Sequence, residues 1–206
     1  MAFIAMKPGT LLAPVPAVLV TAGAMGEDGP IQNLMTAAWA GTVNSDPPMV
    51  SVSIRESRYT YSLIEKSGEF AVCLTDRKLL RAADYCGVRS GRDEDKFAAC
   101  GLTRVPAEGL QYAPAVAESP LYLSCRVKQK LPLGSHVMFI GEIVSMGVRE
   151  DLMDPSGGID LGKADLIAYS HGVYSALGEA LGFFGFSVAS PKVLKRRMAA
   201  LKDSGK

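Results

Sequence analysis

The chain has 206 residues, with 22 Lys and Arg against 21 Asp and Glu and a formal net charge of +1. So even a balance excludes the extended basic footprint that drives nucleic-acid binding. With 48% hydrophobic and 21% charged residues the composition is that of a soluble globule that binds a small molecule. The length suits a single domain over 1–206, with a core of about 14–174 and an extension over 175–206.

In chain order, the first feature is a charge-free run from Pro8 to Gly26. Pro8, Pro14 and Pro16 would break a membrane-spanning helix, and only Lys7 precedes the run, so neither a span nor a signal peptide is expected. The chain reads as cytoplasmic. Val18 to Ala24 is strand-like and ends in the turn signal Gly26-Glu27-Asp28-Gly29-Pro30. Asn33 to Val43 is small and apolar and is read as the next strand. Met49 to Arg55 alternates, with Val50, Val52 and Ile54 on one face and Ser51, Ser53 and Arg55 on the other, which predicts a half-buried strand. The three segments together predict an antiparallel meander.

Arg58 to Ser67 has helical spacing and a stop at Gly68. Phe70 to Leu74 reads as a strand, Arg77 to Tyr85 and Asp93 to Cys100 as helices. A second β block covers Leu121 to Val127 and Val137 to Val148, and Asp151 to Lys163 is a loop. Leu166 to Tyr169 reads as a last short strand, and Ser190-Pro191 opens a basic terminal helix over Lys192 to Lys202. Many strands with few short helices predict a mainly β architecture, a β-barrel or sandwich with attached helices, and disfavour a dinucleotide-binding βαβ fold.

The motifs of several enzyme classes are missing. No Gly-x-x-x-x-Gly-Lys-Ser/Thr loop, Gly-x-Ser-x-Gly elbow or His-Glu-x-x-His helix occurs. Cys73, Cys86, Cys100 and Cys125 never form a Cys-x-x-Cys pair, and His136 and His171 are the only histidines, so no metal site is expected. The cysteines, Cys86 included, read as structural thiols of a reducing compartment.

Three groups remain. Ser51, Ser53 and Arg55 run into Ser57, Arg58 and Thr60 at the start of a predicted helix, where free N–H groups and arginines suit a phosphate. Ser90 to Phe97 is a charged turn from which Lys96 could reach an anion. Asn33 to Trp39 is rich in small residues that let a flat ligand approach the backbone.

On these segments the chain resembles the flavin reductase-like family of FMN-binding split barrels, and most closely its flavoredoxin branch. The matching stretches are Asn33 to Trp39, Ser45-Asp46-Pro47-Pro48, Ser51 to Arg55, Arg58-Tyr59-Thr60-Tyr61, Ser90 to Phe97 and Gly134 to Glu142, which holds His136. The resemblance implies a six-stranded antiparallel Greek-key barrel, a homodimer with FMN near its interface, and NADH or NADPH as electron donor. Asn33, Met35, Thr36, Ala37 and Trp39 would line the flavin ring. Ser53, Arg55, Arg58 and Thr60 would hold ribityl and phosphate, and Ser90 and Lys96 would close the site. Trp39, Lys96, His136 and Tyr169 would receive the substrate. No side chain is assigned as a general acid or base, because the flavin carries the chemistry. The expected activity is reduction of flavin or ferric acceptors; the alternative is a flavoredoxin-type electron carrier between redox proteins, docked through the basic helix. Neither nucleic acid nor a membrane is an expected partner.

Overall fold

A computed structural model describes residues 1–154 and 156–204. Its elements in chain order are β1 (Val15–Pro16), β2 (Val18–Gly26), β3 (Gly29–Ala37), β4 (Ala40–Ser45), β5 (Pro48–Ile54), α1 (Tyr59–Ser67), β6 (Glu69–Cys73), α2 (Leu80–Val88) and α3 (Lys96–Cys100). They continue with β7 (Arg104–Pro106), β8 (Pro114–Val116), β9 (Leu121–Pro132), β10 (Val137–Val148), β11 (Ile167–Ser170), β12 (Val173–Ala176) and α4 (Pro191–Ser204).

The principal sheet has seven strands rather than the expected six, in the order β3-β2-β6-β9-β10-β5-β4 with antiparallel neighbours. Its two edges are consecutive in sequence, and only Ala38-Trp39 separates β3 from β4. The sheet must therefore curl until its edges nearly meet, which gives the split barrel. Closure begins at the bend, where the Ser53 amide donates to the Trp39 carbonyl at 2.9 Å. The segment 33–43, read as one strand, is thus two strands on opposite edges. Apolar pattern alone could not show the bend, because Ala38 and Trp39 continue the same run of side chains.

Burial explains which strands alternate. In β5, Val50, Val52 and Ile54 face the interior and Ser51 and Ser53 are half-exposed, as expected. In β2 and β6 both faces are covered, so the apolar run is unbroken. One face of β2, Val18, Val20, Ala22 and Ala24, packs inside the barrel with Ile54, Ile64, Phe70 and Phe139. Leu19, on the other face, packs with Leu34, Cys86, Phe97 and Val116 in a second core beneath α2 and α3. Glu69 is tolerated in buried β6 because its carboxylate accepts the amides of Gln111 (3.0 Å), Tyr112 and Ala113 (2.9 Å).

α1 stops at Gly68 as expected, with φ 71° and its amide bonded to the Ile64 carbonyl. Two of the other helices are shifted: α2 runs Leu80–Val88 rather than from Arg77, and α3 only Lys96–Cys100. Asp76 accounts for the first shift, since it accepts the Leu79 amide at 3.0 Å and holds 77–79 in a turn. β11 and β12 form a hairpin not foreseen in full, closed by His171 (φ 46°) and Gly172 (φ 103°), and β11 also pairs with β1. Among the described residues, no helix is long and apolar enough to cross a membrane.

Candidate functional site

Two adjoining cavities lie where the β3–β4 bend, the start of α1 and the α2–α3 connection meet. The smaller, about 170 Å³, is lined by Asn33, Ser57, Arg58, Tyr59, Thr60, Arg89, Ser90, Gly91 and Lys96. The larger, about 430 Å³, is lined by Thr36, Ala37, Trp39, Ser53, Arg55, His136, Tyr169 and His171, with Thr10 from the N-terminal arm. Met35 and Arg58 line both, so the two form one crevice. Every residue expected to bind a cofactor or substrate lies on one of its walls. They are not distributed as expected, however.

At the smaller end, β5 hands the chain to α1 through Arg58, whose extended backbone (φ −76°, ψ 137°) makes it the N-cap without a side-chain cap. The Tyr59 and Thr60 amides have no acceptor among the described residues, and they point the positive end of a nine-residue helix at the cavity. Asn33 Nδ2 donates to Thr60 Oγ1 at 2.9 Å, which fixes the fully buried hydroxyl. The opposite wall is the α2–α3 connection. Arg92 closes it against α1 by donating to the Ser57 carbonyl at 2.8 Å and lying over the Tyr59 ring at 5.2 Å. Gly91 passes so close to Asn33 that a Cβ there would have to displace the Asn33 side-chain amide.

Lys96 departs from expectation. It is 2% exposed, and its ammonium donates to the carbonyls of Cys86 (3.0 Å) and Arg89 (3.2 Å), tying the start of α3 to the end of α2. Burial pushes its pKa below the ordinary lysine value. It lines the smaller cavity and not the larger one with Trp39, His136 and Tyr169. Arg89, which sequence reasoning passed over, stands beside it; its place directly before Ser90-Gly91 was the available signal. Cys86 lines neither cavity, and burial raises its thiol to about 12, as suits a structural residue.

At the larger end the Trp39 and His136 rings lie 4.3 Å apart and tilted. Ser135 Oγ is 2.9 Å from His136 Nδ1. Burial, and then the charge of Arg55, lower the His136 pKa below 6.5, so the ring is neutral near pH 7. Thr36 gives its hydroxyl proton to the Ala83 carbonyl, so toward a ligand it can only accept. Ser51 lies outside both cavities and bonds the Gly41 carbonyl on β4. Ser53 and Arg55 sit at this larger end, apart from Thr60. The guanidinium groups of Arg55 and Arg58 have no hydrogen-bond or ion-pair partner among the described residues. His171, at the tip of the β11–β12 turn, joins this wall; nothing in its own sequence neighbourhood pointed here.

The crevice fits a phosphate attached to a flat ring. Free amides and unpaired guanidinium at one end suit the anion, and small residues with Trp39 at the other suit the ring. Among the described residues no cluster of His, Cys, Asp or Glu could hold a metal ion.

A family model described as flavin reductase like domain matches residues 11–178. Among solved structures, flavoredoxin of Desulfovibrio vulgaris (Miyazaki F) is 36% identical with a TM-score of 0.82, covering 91% of this chain and 100% of that one. Flavoredoxin from Methanosarcina acetivorans is 29% identical with a TM-score of 0.80, covering 96% and 100%. An uncharacterized protein of Archaeoglobus fulgidus is 33% identical over 71% of this chain and 78% of its own length.

Proposed function

Because the chain belongs to the flavin reductase-like family, we propose that it is an FMN-binding oxidoreductase that reduces flavin or ferric acceptors with NADH or NADPH. The observation that carries this reading is the single crevice with an uncapped helix end and cations at one side and aromatic rings at the other. In this reading Arg58, Thr60, Ser90 and Lys96 hold the ribityl phosphate, the anion meeting the amides of Tyr59 and Thr60. Asn33, Met35, Ala37 and Trp39 border the ring, with Thr36 holding the β3 wall to α2 and Ser53 beside it.

FMN, when bound, supplies the hydride and electron exchange. The protein's part is to bind, orient and desolvate. Lys96 keeps a positive charge next to the anion in a poorly hydrated place, and no general acid or base is required of a side chain. Trp39, His136 and Tyr169 border the place where a nicotinamide ring would meet the flavin. A second copy of the chain would cover exposed apolar groups such as Phe3, Ile4, Leu12, Leu181, Phe184 and Val188, which fits a homodimer.

The test has two stages. Titration of colourless protein with FMN should perturb the visible band of the cofactor and saturate at one equivalent per chain; no saturation would end the reading. Anaerobic mixing of the loaded protein with NADH or NADPH should then bleach that band. The two flavoredoxin matches favour a second reading, an electron carrier between redox proteins. It predicts FMN binding with no bleaching by either nicotinamide.

A further inference from the structure

Arg55 follows directly on β5 and lines the larger cavity only. The smaller cavity already has Arg58, Arg89 and Lys96 on its walls, enough cations for a phosphate of about two charges. No acidic side chain lines the larger cavity. Arg77, Arg104 and Arg149 are each paired with an aspartate at 2.9, 2.6 and 2.6 Å, whereas Arg55 has no such partner among the described residues. Near it stand the tilted Trp39–His136 pair and Tyr169, surfaces for a second flat ring.

We propose that Arg55 holds the oxyanion of the second substrate, a planar aromatic or heteroaromatic compound carrying a carboxylate or phosphate, whose ring lies against Trp39 and His136. A guanidinium suits this task because its planar fork meets two oxygens at once. The inference rests on the FMN reading for the flavin's share of the crevice, and it removes Arg55 from the phosphate ligands that the resemblance implied. It also gives the site a selectivity: an anionic ring is retained and a neutral one of the same shape is not.

The experiment titrates the full-length protein, with and without saturating FMN, with benzoate and with its neutral counterpart benzamide. Binding is followed by fluorescence of Trp39, the only tryptophan in the chain. Arg55→Ala should weaken benzoate about tenfold, equivalent to about 1.4 kcal/mol, and move benzamide less than about twofold. Arg55→Lys should fall between, since it keeps the charge and loses the fork. Lys66→Ala, which removes one charge outside both cavities, should change neither ligand. Equal losses for both ligands, no loss, or the same loss in Lys66→Ala would overturn the proposal. Should FMN fail to bind, the FMN reading falls, and the benzoate–benzamide contrast in the FMN-free protein still decides the role of Arg55. Competition with NAD+ then distinguishes the sources of such an anion: displacement of benzoate assigns the site to the electron donor, and its absence to the acceptor. Either outcome keeps the oxyanion at Arg55.

Discussion

The two ends of the crevice are built in different ways. The smaller end comes mainly from two short stretches, Ser57 to Thr60 and Arg89 to Lys96, laid against Asn33 and Met35 on β3. The larger end gathers Thr10, the β3–β4 bend, the end of β5, His136 before β10 and the β11–β12 turn from along the whole chain. At the first end the helix terminus is a local structure, and the lysine clamp joins two helices that are neighbours in sequence, α2 and α3. At the second, each side chain arrives only when the sheet has closed. Stability and anion binding should therefore be coupled at the packed positions of the smaller end, Lys96 and Gly91, and separable at side chains that no other residue holds.

The strongest way to sharpen this contrast is Lys96→Ala. The substitution leaves the Cys86 and Arg89 carbonyls without their buried donor, so the FMN-free protein should lose about 2 kcal/mol in urea unfolding. FMN affinity should fall by about tenfold or more in the same protein. If affinity fell while unfolding stayed unchanged, Lys96 would not be a clamp.

Gly91→Ala should follow closely. Its Cβ must displace the Asn33 amide, which holds Thr60, at a cost of about 1–3 kcal/mol. Calorimetric melting and FMN titration should both move.

Arg58→Ala should separate the two properties within the smaller end. Its guanidinium is unpartnered among the described residues, so unfolding should shift by no more than about 0.5 kcal/mol. FMN binding should weaken about tenfold through the lost charge-assisted contact.

The smallest expected effect is at His136. Burial and Arg55 both disfavour its imidazolium, so on acidification the unfolded chain takes up this proton before the folded protein does. The His136 contribution is therefore constant well above pH 6.5 and is lost as pH falls through that value toward the folded titration. In Arg55→Ala the NMR titration of His136 should move upward yet stay below 6.5, because burial, the larger cause, remains. A titration that did not move would mean that the Arg55 charge does not reach the ring.

Much of the smaller end was legible beforehand. Hydroxyls and arginines running into a helix start announce an anion site, and Gly68 marks where that helix stops. Arg89 escaped notice because its charge alone reads as that of a solvated arginine at a helix end, and its place directly before Ser90-Gly91 was the one signal to the contrary. Lys96 was found for its charge, yet its bond to two carbonyls depends on how α2 and α3 dock. At the larger end, Trp39 and His136 were identified through the family resemblance, while Thr10 and His171 were not, since they come from segments with no pattern that links them to a ligand.

What the order of residues determined alone was local: the alternation of β5, the unbroken apolar runs of β2 and β6, the helix stop at Gly68 and the hydroxyl-arginine run ahead of α1. These follow from periodicity, backbone freedom and unsatisfied amides, all acting within a few residues. Tertiary structure decided that Asn33 to Ser45 is two strands on opposite edges of a curled sheet, that Arg55 faces a different cavity from Thr60, and that both histidines share a wall. The reason is sheet closure: it joins residues far apart in sequence by a geometric constraint that no short window of the chain contains.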